Sequence, residues 1–124
     1  MSNMFKKTRF FKVILYLFPL TVFSAQHHPQ EFLDSIQGDP DKGEKIYAHF
    51  CVNCHAETPV IPVGAPRLGV ESDWKARLDK AGSAEKLLKN IDAGLGAMPP
   101  RGGCFECTDE ELKAAILYML PKHV

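Results

Sequence analysis

The sequence has no excess of charge of either sign, no internal repeat, no low-complexity segment and no strand-like alternation of polar and apolar residues. Its 124 residues carry 15 basic and 15 acidic side chains, and 45% of them are hydrophobic. This is the composition of one small globular domain. It excludes a collagen-like, coiled-coil or largely disordered chain.

Clustered positive charge is missing from most of the chain. The four charged residues before position 30 are all basic, whereas from Glu31 onwards 15 acids face 11 bases, a net charge of −4. Nucleic-acid binding requires clustered cations that contact phosphates. The composition therefore argues against a nucleic-acid partner.

The apolar run near the N-terminus is shorter than a typical membrane-spanning helix. A basic segment ending at Lys12 precedes eleven uncharged, mostly apolar residues at 13–23, and Ser24 and Ala25 follow. As a helix this run spans about 16 Å, against a hydrocarbon core of about 30 Å. We expect residues 1–25 to be a secretory signal peptide, or an N-terminal anchor if uncleaved. Either outcome places the domain outside the cytoplasm.

The rest of the chain is expected to comprise a tail or lead-in helix over residues 26–38 and one domain over residues 39–124. Capping and breaking residues predict four helices in this domain. They are a helix from Asp39-Pro40 to about Cys51, a short helix over residues 73–79, a helix capped by Ser83 that stops at Gly94, and a last helix capped by Thr108.

Apolar spacing indicates which faces of the last two helices are buried. Leu87, Leu88 and Ile91 are expected on one face of the third helix, and Leu112, Ala115, Ile116 and Met119 on one face of the last. Glu111 follows Thr108 by three residues, which is a capping box. Residues 57–69 and 94–103 contain prolines and glycines and are expected loops. The predicted fold class is therefore all-α with long loops.

Residues 51–55 read Cys-Val-Asn-Cys-His, the pattern for covalent attachment of a c-type haem. Two thiols at this spacing can reach two vinyl groups along one porphyrin edge, and the adjacent imidazole then lies beneath the ring. Its second nitrogen must donate to an acceptor, which fixes the ring's orientation. We therefore predict one haem c, with Cys51 and Cys54 as thioether anchors and His55 as an axial iron ligand.

Three other interpretations of these cysteines remain open at this point. Cys51 and Cys54 could form a plain disulfide, with His55 a bystander. They could be a thioredoxin-like redox pair, although no βαβ pattern accompanies them. Together with Cys104 and Cys107 they could bind zinc, although the gap between the pairs is longer than usual and an exported location disfavours such a site.

The sixth iron ligand decides the function, and Met98 is the candidate. It lies in a glycine- and proline-containing loop, whereas Met119 fits the apolar stripe of the last helix and Met1 and Met4 lie in the signal segment. A thioether favours ferrous iron and raises the reduction potential. The remaining histidines are interpreted as solvated residues: His27, His28, His49 and His123. With both axial positions filled, no substrate reaches iron, so no catalytic residues are expected.

With these motifs the chain resembles a class I cytochrome c, and more closely the short bacterial cytochrome c-five family. The similarity covers roughly residues 39–123. Gly43 and Tyr47 match the family's glycine and aromatic residue where the first helix crosses the last, and Tyr118 falls in the matching part of that last helix. The resemblance therefore implies a small all-α fold wrapped around one haem.

The resemblance also implies roles for residues outside the haem motif. Residues 64–69 are similar to the loop whose proline carbonyl accepts from the haem histidine, so Pro66 is the expected acceptor for His55. Trp74 resembles the family tryptophan near the haem propionates. Residues 98–104 resemble the axial methionine loop running into an extra cysteine pair. The chain departs from the pattern at residues 57–63, which form a longer stretch than usual.

The cysteine pair Cys104 and Cys107 is expected to form a local disulfide that braces the join between the methionine loop and the last helix. A ring this short restricts the unfolded chain little, so its benefit would be to hold Met98 at bonding distance. A second redox centre is the alternative.

These observations together predict a periplasmic monohaem protein that shuttles single electrons in respiration. The expected partners are a donor and an acceptor among redox proteins, such as membrane respiratory complexes or a terminal oxidase, and the membrane is met only by proximity or by an uncleaved signal. The alternatives are a haem subunit dedicated to one exported dehydrogenase or oxidase, and a ligand-binding sensor with a labile Met98.

Overall fold

The computed structural model describes residues 29–122, and its regular elements are all helical. Within this range no sheet forms, although Leu95 and Met98 make an isolated antiparallel bridge. The helices are α1 (Pro29–Ser35), α2 (Lys42–Ile46), α3 (Val52–His55), α4 (Glu71–Ala81), α5 (Ala84–Ala93) and α6 (Asp109–Met119). A π-helical turn (Tyr47–Cys51) joins α2 to α3, and a 3₁₀ turn (Pro100–Gly103) precedes α6. The all-α fold class is confirmed.

The predicted signal peptide over residues 1–25 lies outside the described part of the chain, as do His27, His28 and His123. Among the described helices, none combines the length and apolar character needed to cross a membrane.

The helix that leads into the haem motif begins later and ends later than expected. Asp39 accepts a hydrogen bond from the backbone N–H of Asp41 at 2.8 Å and pairs with Lys45, so the chain turns once before α2 begins at Lys42. The predicted start at Asp39-Pro40 was therefore two residues too early. Beyond the π-helical turn, α3 carries the helix past Cys51 to His55.

Helix α2 crosses α6 at very short range. A Cβ at Gly43 would lie 2.7 Å from the carbonyl carbon of Ala114, so only glycine fits at this position. One turn later the rings of Tyr47 and Tyr118 meet with centroids 5.3 Å apart. The crossing lies where the family resemblance implies it, and it fixes the direction in which α2 approaches the haem motif.

The caps of the last two helices are confirmed. Ser83 Oγ accepts from the N–H of Lys86 at 3.2 Å, and α5 stops before Gly94. At α6, Thr108 Oγ1 accepts from the N–H of Glu111 at 3.3 Å, while Glu111 Oε2 accepts from the N–H of Thr108 at 2.7 Å. This is the reciprocal capping box.

The core divides into two apolar clusters that share α6. In the first, α1 packs against the Cys104–Cys107 pair; its buried residues are Leu33, Ile36, Ile46, Cys104, Cys107 and Ala115. The second lies beside the haem motif and comprises Tyr47, Trp74, Ile91, Ile116 and Met119. The apolar faces predicted for the last two helices are buried or partly buried, except at Leu88, which is 39% exposed. Leu87 and Ile91 are four residues apart on the inner face, and Leu88 is rotated about 100° from Leu87.

Candidate functional site

A cavity of about 290 Å³ collects the residues predicted to hold the haem. Its lining includes Cys51, Cys54, His55, Pro66, Trp74 and Met98. These come from the end of α3, the loop after it, the first turns of α4 and the loop after α5. Residues separated by almost fifty positions in the chain therefore line the same cavity. Cys104 and Cys107 do not line it.

His55 is held in one orientation by the loop that follows α3. Its ring Nδ1 donates to the carbonyl oxygen of Pro66 at 2.8 Å, and its own carbonyl accepts from the N–H of Leu68 at 2.7 Å. A carbonyl can only accept, so Nδ1 carries the proton and Nε2 is the nitrogen with a free lone pair. This is the arrangement found in histidines that bind metals.

The electrostatic surroundings keep His55 in the form that metal binding needs. The imidazole is only 7% exposed, and burial lowers its pKa below the ordinary value. The hydrogen bond to Pro66 opposes this effect, and the positive charge of Arg77 adds to it. The ring is therefore neutral near pH 7, as a metal ligand must be.

The two thiols of the motif are free and half-buried. Burial, and to a lesser extent the neighbouring Cys54, raises the pKa of the Cys51 thiol to about 11. A thioredoxin-like pair requires a lowered thiol pKa, so this environment is the opposite of a redox-active one. The plain-disulfide interpretation fails as well, because these two cysteines are not bonded to each other.

The zinc interpretation is also wrong for the described residues. Cys104 is bonded to Cys107 in a disulfide, which leaves only two free thiols. Over residues 29–122 no group of three or more His, Cys, Asp or Glu side chains could hold a metal ion together. The two cysteine pairs instead lie in different places: the free pair lines the cavity, and the disulfide-bonded pair is packed under α1.

Trp74 packs beside the histidine and hydrogen-bonds to the backbone. Its ring lies nearly parallel to that of His55, with centroids 6.3 Å apart, and it is 3% exposed. Its indole N–H donates to the carbonyl oxygen of Arg67 at 2.9 Å. Through this bond Trp74 orients the loop that contains Pro66, the hydrogen-bond acceptor of His55.

Met98 is half-buried in a tightly folded loop. The N–H of Leu95 donates to the Met98 carbonyl at 3.0 Å, and the N–H of Met98 donates back at 3.1 Å. Gly94 lies so close that a Cβ there would be 2.9 Å from the Met98 carbonyl oxygen. On the other side, a Cβ at Gly102 would lie 3.6 Å from the Met98 methyl group.

The other methionine and histidine candidates have different surroundings. Met119 also lines the cavity, but it is 3% exposed in the core, and its carbonyl accepts from the N–H of Gly69 at 2.9 Å. His49 does not line the cavity; its exposed ring stacks on Phe32 of α1 with centroids 4.3 Å apart.

The Cys104–Cys107 disulfide lies where the 3₁₀ turn meets α6. The two cysteines are 1% and 4% exposed beneath Leu33 and Ile36. Burial of this kind suits a structural bridge and does not suit a redox centre that must meet a partner.

Several residues that line the cavity were not predicted from the sequence. Arg77 lines it and donates to the Gly64 carbonyl at 2.5 Å; it lies three residues after Trp74, so helical spacing alone could have found it. Ile61 and Val63 line it from the longer 57–63 stretch, and they are 46% and 45% exposed. No sequence signal indicated that this stretch folds over the site.

The donor set fits a haem c. Two free thiols, a buried neutral imidazole with one nitrogen fixed by a carbonyl, and a soft thioether share one cavity whose other walls are mainly apolar. These are the groups that covalent attachment and axial ligation of haem iron require.

Comparisons with known proteins agree with this chemistry. The family described as "Cytochrome C oxidase, cbb3-type, subunit III" matches residues 38–119. The chain is 42% identical to cytochrome c5 of Azotobacter vinelandii over 79 residues, which cover 64% of this chain and 92% of that protein. It is 36% identical to cytochrome c5 of Ectopseudomonas mendocina over 85 residues, 68% of this chain and 94% of that protein. A cytochrome c-555 of Prosthecochloris aestuarii is 31% identical over 94 residues, 70% and 91% of the two chains.

The fold, the cavity and these matches define a class I c-type cytochrome with one covalently bound haem c. Within that class the chain belongs to the cytochrome c5 family, to whose members it is 42% and 36% identical. It is a monohaem electron-transfer protein.

Proposed function

We propose that the protein is a periplasmic electron carrier in which Cys51 and Cys54 attach the haem and His55 and Met98 bind the iron. The observation that carries this is the hydrogen bond from His55 Nδ1 to Pro66, which leaves Nε2 as the metal-binding nitrogen beside two free thiols. Bound haem supplies a one-electron ferric/ferrous couple. The chain would supply the anchors, the ligands and an apolar enclosure, within the domain proposed over residues 39–124.

Met98 is the better of the two methionines for the sixth position. Met119 is anchored through its carbonyl to Gly69, in the same segment whose Pro66 holds His55. Its backbone is therefore tied to the segment that supplies the hydrogen-bond acceptor of His55. Met98 comes from a separate loop, between α5 and the 3₁₀ turn, and is less deeply buried. Met98 would therefore supply a thioether to the iron from an element that does not itself carry His55.

The residues of the site support electron transfer without catalysis. If His55 and Met98 both bind the iron, the haem would carry electrons and would have no free position for a substrate. The relatives are named as cytochromes. The role we propose for the chain is to hold a fixed ligand set in both oxidation states, so that little rearrangement accompanies each electron.

Two features of the chain support an exported location. Residues 1–25 have the layout of a secretory signal. The Cys104–Cys107 disulfide is a bond that persists in oxidising compartments such as the periplasm. We therefore place the protein in the periplasm.

Respiratory redox proteins are the partners we propose. The matched family description names a subunit of a cbb3-type oxidase, so a terminal oxidase is a reasonable acceptor. A dedicated subunit would copurify with an oxidase in fixed proportion. A diffusing carrier would purify alone and exchange electrons with added oxidase at a rate that depends on its concentration.

One absorption spectrum of the purified protein, oxidised and reduced, tests the proposal. We expect a haem that stays with the chain after acid–acetone extraction, a low-spin spectrum in both states and a weak near-infrared sulfur-to-iron band in the ferric form. Haem lost on extraction would contradict attachment through Cys51 and Cys54. A low-spin ferric protein without the near-infrared band would contradict methionine ligation.

A further inference from the structure

Arg101 is held in an unusual conformation three residues after Met98. Its φ of 56° makes it the one non-glycine residue with positive φ in the described chain. An L side chain is disfavoured there, and such residues persist only when their surroundings over-determine them. Glycine would adopt this conformation more easily, so the side chain of Arg101 must contribute something that offsets the strain.

The guanidinium of Arg101 joins three separate elements. One nitrogen, Nη1, pairs with Asp92 near the end of α5. The other, Nη2, donates to the carbonyl oxygen of Cys107 at 2.7 Å and to Asp109 Oδ1, in the first turn of α6, at 3.0 Å. The side chain is only 22% exposed, and the planar fork of arginine suits such divided contacts.

No other residue of the methionine loop makes this kind of connection. Within the described structure, Arg101 is the only residue between positions 94 and 103 whose side chain hydrogen-bonds or ion-pairs with a neighbouring element. The Leu95–Met98 bridge is internal to the loop. Without Arg101, the loop would be joined to the rest of the fold mainly by its chain ends and by apolar packing of Met98.

The disulfide cannot replace this connection. It closes a ring from Cys104 to Cys107, entirely after the 3₁₀ turn, and so fixes the chain beyond Arg101. The bond from Arg101 to the Cys107 carbonyl links that ring back to the methionine loop. Arg101 therefore connects the disulfide ring to the loop that carries Met98.

We propose that Arg101 is a positioning residue that holds the Met98 loop closed over the iron by joining α5, the disulfide ring and α6. The inference rests on the proposed Met98 ligation. It assigns Arg101 no contact with the iron; its effect is on how readily the Met98 sulfur leaves the sixth position and lets an external ligand enter.

Imidazole binding to the ferric holoprotein measures this opening directly, because imidazole must displace the sixth ligand. Arg101→Asn is the main variant, since asparagine tolerates positive φ but lacks the fork. We expect covalent haem and helical circular dichroism like those of the wild type, with imidazole binding about tenfold tighter, which is about 1.4 kcal/mol. Arg101→Lys, which keeps the charge but loses the divided contacts, should show an intermediate increase.

Two further variants separate the loss of the Arg101 contacts from an unspecific effect of removing a surface charge. Asp92→Asn removes one partner and leaves Arg101 in place, so we expect about threefold tighter binding, in line with one partly exposed ion pair. It serves as the main test if Arg101→Asn does not accumulate as holoprotein. Lys89→Gln breaks an exposed pair with Glu85 on the same helix and should leave imidazole affinity unchanged.

The outcomes separate this inference from the proposed function. If Arg101→Asn and Asp92→Asn bind imidazole within about twofold of the wild type, Arg101 does not position Met98, even if thermal stability falls. If Met98→Ala keeps the near-infrared band and the wild-type imidazole affinity, then Met98 is not the ligand and both proposals are overturned. If Met98→Ala loses the band while Arg101→Asn behaves as the wild type, only the Arg101 inference is overturned.

Discussion

Gly43 of α2 and Ala114 of α6 meet backbone to backbone: a Cβ at position 43 would lie 2.7 Å from the Ala114 carbonyl carbon and 3.3 Å from the N–H nitrogen of Ala115. The atoms in the way belong to a helix backbone and cannot rotate aside. This contact fixes the helix crossing from which the π-helical turn and α3 carry Cys51, Cys54 and His55 into the cavity.

Gly43→Ala should therefore destabilise the holoprotein by about 2 kcal/mol or more, because inserting a methyl group into a closed contact forces the helices apart. Guanidinium unfolding followed by circular dichroism measures the change. Gly82→Ala is the comparison: its φ is 84° but no atom lies within 4 Å, so backbone strain alone should cost about 1 kcal/mol. Equal losses in the two variants would show that the crossing is not as tight as described.

Leu33→Ala tests whether α1 is part of the folded unit. Leu33 is 1% exposed and packs in the cluster that covers the disulfide. We expect a loss of about 2 to 3 kcal/mol in unfolding free energy and faster reduction of Cys104–Cys107 by dithiothreitol, with an unchanged haem spectrum. Glu31→Ala, on the exposed side of α1, should change the stability by less than about 0.5 kcal/mol. Wild-type stability and wild-type reduction rate in Leu33→Ala would show that α1 does not cover the disulfide.

Ile61→Ser tests whether the longer 57–63 stretch shields the haem. Ile61 lines the cavity and is tied to the haem motif by its N–H, which donates to the Asn53 carbonyl at 2.9 Å. Greater access of water to the site should lower the reduction potential. We expect a fall of roughly 30 mV, about half of the 59 mV of a tenfold one-electron change.

Val60→Ser is the matched control for that measurement. Val60 is 80% exposed and does not line the cavity. The reduction potential of the Val60→Ser protein in spectroelectrochemical titration should therefore equal that of the wild type. Equal shifts in both variants would attribute the effect to the loop's general polarity and not to shielding of the haem by Ile61.

Local signals in the sequence were enough where the determining contacts are local. Ser83 as a cap and the Thr108–Glu111 pair predict the starts of α5 and α6 because each cap is completed within three residues. The same reasoning misplaced the start of α2, since the Asp39 carboxylate bonds to Asp41 and Lys45 in a turn that precedes the helix. The five residues of C-x-x-C-H likewise identify the cofactor without any tertiary information.

The rest of the site depends on contacts between distant segments. Nothing near Arg101 in the sequence shows that Asp92 and Asp109 will converge on it, because that requires α5 and α6 to flank the same loop. The hydrogen bond from the indole N–H of Trp74 to the Arg67 carbonyl also had no sequence signal, and the position of Trp74 near the haem propionates stays a prediction. The role of residues 57–63 as a rim of the cavity was likewise invisible, since a longer loop has no periodic signal.

The most direct test of the account is the near-infrared sulfur-to-iron band of the ferric protein in two methionine variants, Met98→Ala and Met119→Leu, since both methionines line the cavity. We predict that Met98→Ala keeps its covalent haem, loses the band, has a lower reduction potential and binds carbon monoxide in the ferrous form. Met119→Leu should keep the band and exclude carbon monoxide. Retention of the band in Met98→Ala, together with its loss in Met119→Leu, would contradict the assignment of Met98 as the sixth ligand.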